Sequence, residues 1–160
     1  MVKSTVYLSD SLGYFPEPIT GANALAEHGY ASYNSWSQEV HCQYDLPTKV
    51  FSPSSGYYLI QGRPLRDDEM IEVEGSKIVS PFLALYDLFY SQSDDTAITE
   101  ALEFFQEEDI LNEFIAFCKE EGMHQEVLEY NLNMFLYGQS GLPLPSVMEY
   151  KIKTDILGFL

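Results

Sequence analysis

Carboxylates are the most numerous residues in this sequence that could do chemistry, so numerous that no pair can be singled out for acid–base catalysis. Between Asp87 and Glu129 the chain carries 13 acidic residues and a single lysine, hence a net formal charge of −12. The whole chain of 160 residues has 8 basic and 25 acidic residues, a formal charge of −17. Such a surface attracts cationic proteins, whereas it repels the phosphates of nucleic acids and of anionic membranes. The charge therefore predicts a basic protein partner and argues against direct binding to nucleic acid or to a membrane.

Ten carboxylates of this stretch are the candidate partner-binding residues. They are Asp94, Asp95, Glu100, Glu103, Glu107, Glu108, Asp109, Glu113, Glu120 and Glu121. The last two close a predicted helix, where the helix dipole disfavours negative charge by up to about 1 kcal/mol. A helix selected for stability alone would carry lysine there, so we favour a functional reason for the charge. The alternative is that the acids serve only to keep the protein soluble.

The residues that commonly bind metal ions are not spaced to converge on one ion. His28, His41 and His124 are far apart in the sequence, and His41 is directly followed by Cys42. The acidic stretch 67–74 lacks the loop pattern of a calcium-binding hand, and a solvated turn and strand explain it better. We therefore predict no metal site.

The sequence also completes no motif for nucleophilic catalysis or phosphate binding. GQSGL at 138–142 has its second glycine one position too early for the G-x-S-x-G elbow, and it follows a predicted helix instead of a strand. No phosphate-binding glycine loop is present, so we predict no catalytic residue and no cofactor. The alternative is an enzyme or a small-ligand-binding domain whose site is assembled from dispersed residues of the aromatic N-terminal half, among them Trp36, His41 and Cys42.

The cysteine content and the hydropathy indicate the cellular compartment. Cys42 and Cys118 are the only cysteines, and their positions show neither metal-binding nor redox spacing. No stretch approaches the roughly 18 apolar residues of a membrane-spanning helix, and the first residues lack the apolar run of a signal peptide. We therefore expect a cytoplasmic protein in reducing surroundings.

The elements that position these residues differ between the two halves of the chain. The first half is punctuated by Gly, Pro and Ser, which predicts short strands and loops. Strands are predicted at 4–8, 49–52, 56–62 and 70–75, the second and third forming a hairpin. A short helix is predicted at 20–30, with Thr20 as its cap and Gly29 as its terminator.

The second half carries the apolar period of helices. The first of them begins at Ser80-Pro81, because serine caps a helix well and proline suits its first position. Three more are predicted at 96–107, 110–121 and 125–137, the last ending at Gly138. The tail at 139–160 has an alternating segment that is compatible with a returning strand.

The predicted fold is α+β. A small mixed or antiparallel sheet in the N-terminal half packs against a C-terminal bundle of about four helices. The length favours one domain over 1–160. Its parts are a strand- and loop-rich subregion at 1–78, an acidic helical subregion at 79–138 and the tail at 139–160.

Three stretches together resemble a known family. They are GANALAEHGY (21–30), YDLPTKVF with GYYLIQGRPL (44–51 and 56–65), and IEVEGSKIVSPFLALYDLFY (71–90). Their order is similar to that in the effector domain of AbiEi-type antitoxins: a small helix ending in His-Gly, a β-meander, and a helix that begins with Ser-Pro. The similarity spans about residues 20–135.

The resemblance implies a non-enzymatic antitoxin that pairs with a nucleotidyltransferase-like toxin and often represses its own operon. Members of that family carry a winged-helix DNA-binding domain ahead of this region, with a basic DNA-contacting surface. Only about 20 residues of this sequence precede the similar region, so we expect no winged helix ahead of it, and this chain is strongly acidic. DNA binding is therefore not expected here.

Charge and resemblance lead to one functional hypothesis. We expect a non-catalytic acidic protein that binds and neutralises a basic partner, either a nucleic-acid-binding protein or a nucleotidyltransferase-like toxin. It would act as an antitoxin or as an anti-defence inhibitor from a phage or mobile element, in the latter case as a mimic of nucleic acid.

Overall fold

The computed structural model describes residues 18–32, 38–42, 51–52, 57–61, 63–139 and 141–145 of the chain. The predicted strand at 4–8 and the residue Trp36 lie outside this part of the chain. Of the tail, residues 141–145 form neither helix nor strand, and the segment from 146 onward lies outside the described residues. The returning strand therefore stays a prediction.

Within the described residues, six short strands form one mixed sheet in the N-terminal half. They are β1 (Ile19–Thr20), β2 (Gln38–Cys42), β3 (Phe51–Ser52), β4 (Tyr57–Gln61), β5 (Met70–Val73) and β6 (Ser76–Val79). Their order across the sheet is β3-β4-β2-β1-β6-β5. Neighbours β3–β4, β2–β1 and β6–β5 are antiparallel, whereas β4–β2 and β1–β6 run parallel. This mixed sheet confirms the predicted α+β class.

Helices make up most of the second half. The described helices are α1 (Gly21–Glu27), α2 (Pro81–Ser91), α3 (Asp95–Glu107), α4 (Leu111–Glu120) and α5 (Gln125–Asn131). A π-helical turn, Leu132–Leu136, continues α5. All four predicted helices of the bundle are confirmed to within two residues at their starts. No helix in the described ranges is long and apolar enough to cross a membrane.

Local capping explains where the bundle helices begin and end. The Ser80 hydroxyl accepts the Leu83 N–H at 3.4 Å, and the Asp94 carboxylate accepts the Ala97 N–H at 3.0 Å. These bonds satisfy donors that the first turn of a helix leaves without a partner. Gly122 follows α4 with φ +82°, a left-handed conformation that glycine adopts without strain.

The structure corrects the predicted role of Thr20 and adds strands that the sequence did not predict. Thr20 occupies the cap position of α1, but its side chain makes no capping bond; its hydroxyl donates to Asp87 Oδ2 at 2.7 Å instead. Strand β2 was not predicted, because it buries two polar side chains, those of Glu39 and His41. A strand that buries polar residues lacks the alternation of apolar and polar residues on which prediction relies.

The core lies between α2, α3 and α4 and is rich in aromatic rings. Phe89, Phe105 and Phe114 have no exposed surface. The Phe114 ring centroid lies 5.4 Å from that of Phe89 and 5.4 Å from that of Phe105, in edge-to-face arrangements. Such contacts stabilise the packing beyond the area they bury. Because one face of α3 and of α4 is committed to this core, their acidic residues are directed to the opposite face.

Candidate functional site

The ten predicted partner-binding residues lie on α3, on α4 and in the turns that flank them, and the structure divides them into two groups. Six have exposed side chains with no hydrogen bond or ion pair within the described residues. We call these six the open acidic surface: Asp95, Glu103, Glu107, Asp109, Glu113 and Glu120. The other four are engaged inside the molecule.

The open acidic surface is carried by a helical hairpin with a fixed geometry. Glu103 and Glu107 are four residues apart on α3 and therefore lie on the same side of the helix. Asp109 stands in the turn between the helices with φ +62°, and Glu113 follows in the first turn of α4. The Phe105 ring of α3 is fully buried and packs the hairpin against the core. These carboxylates are therefore presented by two helices and the short turn between them.

Two of the engaged acids bind the segment Tyr30–Ser32. The Glu100 carboxylate accepts the backbone N–H of Ser32 at 2.9 Å and its hydroxyl at 2.8 Å. Glu108 accepts the Tyr30 hydroxyl at 2.9 Å, and the Tyr30 ring packs edge-on against Phe105 at 5.1 Å. These acids hold the chain after α1 against α3, so they are partly occupied by the fold itself. Asp94, the third engaged acid, caps α3.

Glu121 is the fourth engaged acid, and its surroundings correct the interpretation of the helix end. Its Oε1 atom accepts Arg63 Nε at 2.6 Å and its Oε2 atom accepts Arg66 Nη2 at 2.9 Å. Burial by itself raises the pKa of Glu121, but the hydrogen bonds from Arg63 and Arg66 outweigh it, so the pKa lies below its usual value. The charge of Glu121 at this helix end is thus compensated, and of the two acids only Glu120 lies uncompensated at the negative end of the helix dipole.

Arg63 also binds Glu69 and so completes an ion-pair network. Its two terminal nitrogens each lie 2.7 Å from one oxygen of Glu69, a bidentate arrangement. The side chain of Glu69 is 5% exposed, and that of Arg63 is 30% exposed. Bidentate pairs between arginine and carboxylate are stronger than single hydrogen bonds. The network joins the segment after β4 to the end of α4 and has a structural role.

A second polar cluster is buried beneath the sheet and the helices. Asp87 Oδ2 lies 2.7 Å from the Thr20 hydroxyl and 2.7 Å from His41 Nδ1, while His41 Nε2 lies 2.9 Å from the Arg63 carbonyl oxygen. Because a carbonyl only accepts, His41 Nε2 must donate. A second hydrogen bond joins His41 Nδ1 to Asp87 Oδ2, so both ring nitrogens are held by the fold.

This cluster bears on the alternative hypothesis of a dispersed enzyme site. His41 is 1% exposed and Asp87 is fully buried. Both ring nitrogens of His41 are engaged by protein groups, so neither is presented to a substrate. Trp36 and the Cys42 side chain lie outside the described residues. Within the part of the chain that is described, no three His, Cys, Asp or Glu side chains are arranged to hold a metal ion.

Glu39 is the functional candidate that the sequence did not reveal. It is 5% exposed, and its Oε1 atom accepts the Ser93 hydroxyl at 2.8 Å, whereas its Oε2 atom has no hydrogen bond within the described residues. Burial, with a smaller effect of the charges of Asp87 and Asp94, raises the pKa of Glu39 to about 7, against the hydrogen bonds from Ser93 and Ser91, which lower it. The polar surroundings of Glu39 in the sequence carry no signal of this burial.

One cleft of about 360 Å³ opens beside the acidic hairpin. Its walls include Tyr30, Arg66, Asp68, Phe82, Ile110 and Phe117. The guanidinium of Arg66 is already bound by two carboxylates, so the cleft is lined mainly by aromatic and acidic groups. Such a lining is compatible with an apolar or cationic side chain.

Comparison with known proteins assigns no family. No protein-family model matches this chain, and neither a curated protein nor a solved structure matches it. The resemblance to AbiEi-type antitoxins therefore stays a hypothesis that rests on the residues quoted for it.

Proposed function

We propose that this chain is a non-catalytic acidic protein that binds and neutralises a basic protein partner. The observation that carries the proposal is the open acidic surface. Its six carboxylates are exposed and have no partner within the described residues, on a hairpin whose other face is buried in the core. Acids needed only for the fold would be engaged in it, as Glu121 and Glu100 are.

The physical chemistry of the surface favours fast association. The backbone that carries these carboxylates is already helical, so binding a partner has to order only their side chains. Their summed field steers a basic partner toward the hairpin, and salt weakens that attraction. Each exposed ion pair contributes at most about 1 kcal/mol, so affinity requires several pairs acting together.

The class of partner follows from the sign and the spacing of the charge. Proteins with large basic surfaces are commonly those that contact the phosphates of nucleic acids. We propose that the partner is such a protein, or a nucleotidyltransferase-like toxin as the AbiEi resemblance implies. The chain would then act in the cytoplasm as an antitoxin or as an anti-defence inhibitor that competes with nucleic acid.

A pair of charge-reversal variants tests the proposal. One variant carries Glu103→Lys, Glu107→Lys and Glu113→Lys on the open acidic surface. The matched control carries Glu27→Lys, Glu72→Lys and Glu74→Lys at exposed positions outside that surface and changes the net charge equally. Each protein is immobilised and used to recover partners from a host lysate at low and at high salt.

The expected result is a basic protein that binds the wild type and the control at low salt and is lost with the hairpin variant. High salt should release it. Recovery of no basic protein in either buffer, or equal loss with both variants, contradicts the proposal. Circular dichroism and urea unfolding of both variants establish that each of them folds.

A further inference from the structure

The cleft beside the open acidic surface is walled by aromatic rings that the core holds in place. Phe82 and Phe117 are half-buried and line it together with Tyr30. The Phe82 ring centroid lies 5.8 Å from that of Phe117 and 5.3 Å from that of the fully buried Phe105. The Tyr30 ring packs edge-on against Phe105 at 5.1 Å, and its hydroxyl donates to Glu108 at 2.9 Å. The aromatic wall is therefore formed before any partner binds.

The charges at the cleft are negative in sum. Arg66 is the one cation among its described walls, and its guanidinium is bound by Glu69 at 3.0 Å and by Glu121 at 2.9 Å. Arg63 binds the same two carboxylates, so this network holds two charges of each sign. Asp68 is an exposed residue of the wall and has no hydrogen bond or ion pair within the described residues. It therefore leaves the wall with an uncompensated negative charge.

The cleft is continuous with the open acidic surface. Ile110, at the start of α4, and Phe117 both line the cleft, and Glu113 lies three residues after the first and four before the second. Residues three and four apart share one side of a helix, so the Glu113 carboxylate borders the cleft. Asp109 directly precedes Ile110. A cation that these carboxylates attract therefore reaches the mouth of the cleft.

The combination of aromatic rings and negative charge selects arginine among side chains. An apolar side chain would pack on the rings but would remove Asp68 from water without offering it a partner, which is unfavourable. The ammonium group of lysine is compact and strongly hydrated. The guanidinium group is planar and more weakly hydrated, so it stacks on aromatic faces and donates to a carboxylate at the same time.

The size of the cleft also fits one side chain. Its volume of about 360 Å³ lies at the small end of the range of ligand pockets, about 300–1,000 Å³. Pro81 and Ile110 complete the apolar part of the wall, against which the methylene stem of an arginine can pack.

We propose that this cleft receives one arginine side chain of the basic partner, whose guanidinium stacks on the aromatic wall and pairs with Asp68. The inference rests on the proposed function, because it assigns one contact to the same partner. It adds a requirement that charge alone does not impose, namely a guanidinium in preference to an ammonium group. Arginine is enriched among the few residues that contribute most of the binding energy of interfaces, and these commonly fill preformed pockets.

Two capped peptides of equal charge test the preference. One is pentalysine, and the other is the same peptide with a central arginine. Fluorescence anisotropy of the labelled peptides at low salt measures their affinity for the full chain. We expect the arginine peptide to bind about 2- to 30-fold more tightly, the range of a cation–π contact from exposed to desolvated. It should also shift the methyl NMR signals of Ile110. Equal affinities of the two peptides overturn the inference.

Two matched pairs of variants locate the preference in the cleft. Phe117→Leu removes a ring of the wall and should bring the affinity ratio of the two peptides close to one. Phe135→Leu changes a half-buried ring outside the cleft and should leave the ratio unchanged. Asp68→Lys should weaken binding of the arginine peptide more than Asp67→Lys, at the neighbouring exposed acid outside the wall.

Urea unfolding establishes that both leucine variants fold, and the aspartate pair decides the matter if Phe117→Leu does not. A preference that persists in folded Phe117→Leu, or equal effects of the two lysine substitutions, overturns the inference.

The outcomes separate this inference from the proposed function. If both peptides bind equally and both are lost with the variant that carries Glu103→Lys, Glu107→Lys and Glu113→Lys, the cleft has no role and the open acidic surface keeps its own. If the preference for arginine is found but the lysate yields no basic protein, guanidinium binding in the cleft is supported and the proposed function fails.

Discussion

Arg63 Nε lies 2.6 Å from Glu121 Oε1, so an arginine just beyond the sheet binds the carboxylate that follows α4. The same guanidinium binds Glu69 through both of its terminal nitrogens. One side chain therefore compensates two carboxylates whose side chains are only 5% and 13% exposed. Together with Arg66, which contacts the same two carboxylates, Arg63 links the two halves of the molecule.

Replacement of Arg63 tests this link. We expect Arg63→Ala to lower the free energy of unfolding by about 2–3 kcal/mol near neutral pH, because two largely buried carboxylates lose the three hydrogen bonds that Arg63 donates and keep only the more exposed Arg66 as a counter-charge. Urea unfolding measures the loss. Arg66→Ala is the matched control, since the Arg66 side chain is 56% exposed and its removal should cost less. Equal losses of unfolding free energy in both variants would show that the bidentate, less exposed position of Arg63 adds no stability over that of Arg66.

The ion pairs of Arg63 and Arg66 with Glu69 and Glu121 also make the stability of the fold depend on pH in the acidic range. The pKa values of Glu69 and Glu121 lie below their usual value because the hydrogen bonds from the arginines outweigh burial. Their contribution to stability is therefore present above pH 4.5, the ordinary value, and is lost as the pH falls through the lowered values. Urea unfolding between neutral and strongly acidic pH should show this loss in the wild type. The loss should be smaller in Arg63→Ala, and an identical acid profile would contradict the assignment.

The raised pKa of Glu39 predicts that its contribution to the free energy of unfolding changes with pH in the opposite direction. Its pKa is raised by burial from 4.5 to about 7, so the folded protein binds a proton that the unfolded chain has lost. The stabilisation is full below pH 4.5, falls by about 3 kcal/mol as the pH rises to 7, and stays constant above that. The difference in unfolding free energy between Glu39→Gln and the wild type isolates this effect. A difference that does not change between pH 4.5 and pH 7 would refute it.

Thr20 is expected to act through Asp87 and not as a helix cap. Thr20→Val should lower the free energy of unfolding by about 1.5–2 kcal/mol, because the buried carboxyl group of Asp87 loses a hydrogen-bond donor. A double-mutant cycle with Asp87→Asn should give a coupling energy of about 1–2 kcal/mol. Thr20→Ser keeps the hydroxyl and is the control. Additive losses in the cycle would instead favour an independent role of Thr20 at the start of α1.

Alanine substitutions at Gly21 and Gly75 can be compared to test the close approach of Glu39 to Gly21. Both have positive φ, +69° and +84°, but only at Gly21 would a β-carbon overlap another side chain, that of Glu39. Gly75→Ala should therefore cost about 1 kcal/mol for backbone conformation alone. Gly21→Ala should cost at least about 2 kcal/mol and should also displace the Glu39 carboxyl from Ser93. Thermal unfolding compares them, and equal losses would exclude a specific effect at Gly21.

The helical half of the fold is predictable from the sequence because its signals are local. The Ser80-Pro81 start and the apolar stripe of α3, which includes Ile98 and Phe105, lie within one or two helical turns of the residues they organise. The side of each helix on which the acidic residues lie follows from the same helical period. Their excess over basic residues follows from composition.

The sheet and the buried clusters were less accessible to prediction. Strand β2 pairs with β1 and β4, neither of which is its immediate neighbour through a short turn. Its residues Glu39 and His41 are polar, so a prediction from the pattern of hydrophobic residues places them in a loop. They can be buried because groups that are distant in the sequence form hydrogen bonds with them. The order of the strands decides whether those groups come close enough.

By itself, the sequence determined the α+β class, the acidic helices and the concentration of negative charge, because composition and helical period are local properties. The tertiary structure alone decided which carboxylates are exposed and unpaired. Glu39 is bound by a residue 54 positions away, Glu121 by one 58 positions away and Glu100 by one 68 positions away. No local pattern encodes such partners, since the folding of distant segments brings them together.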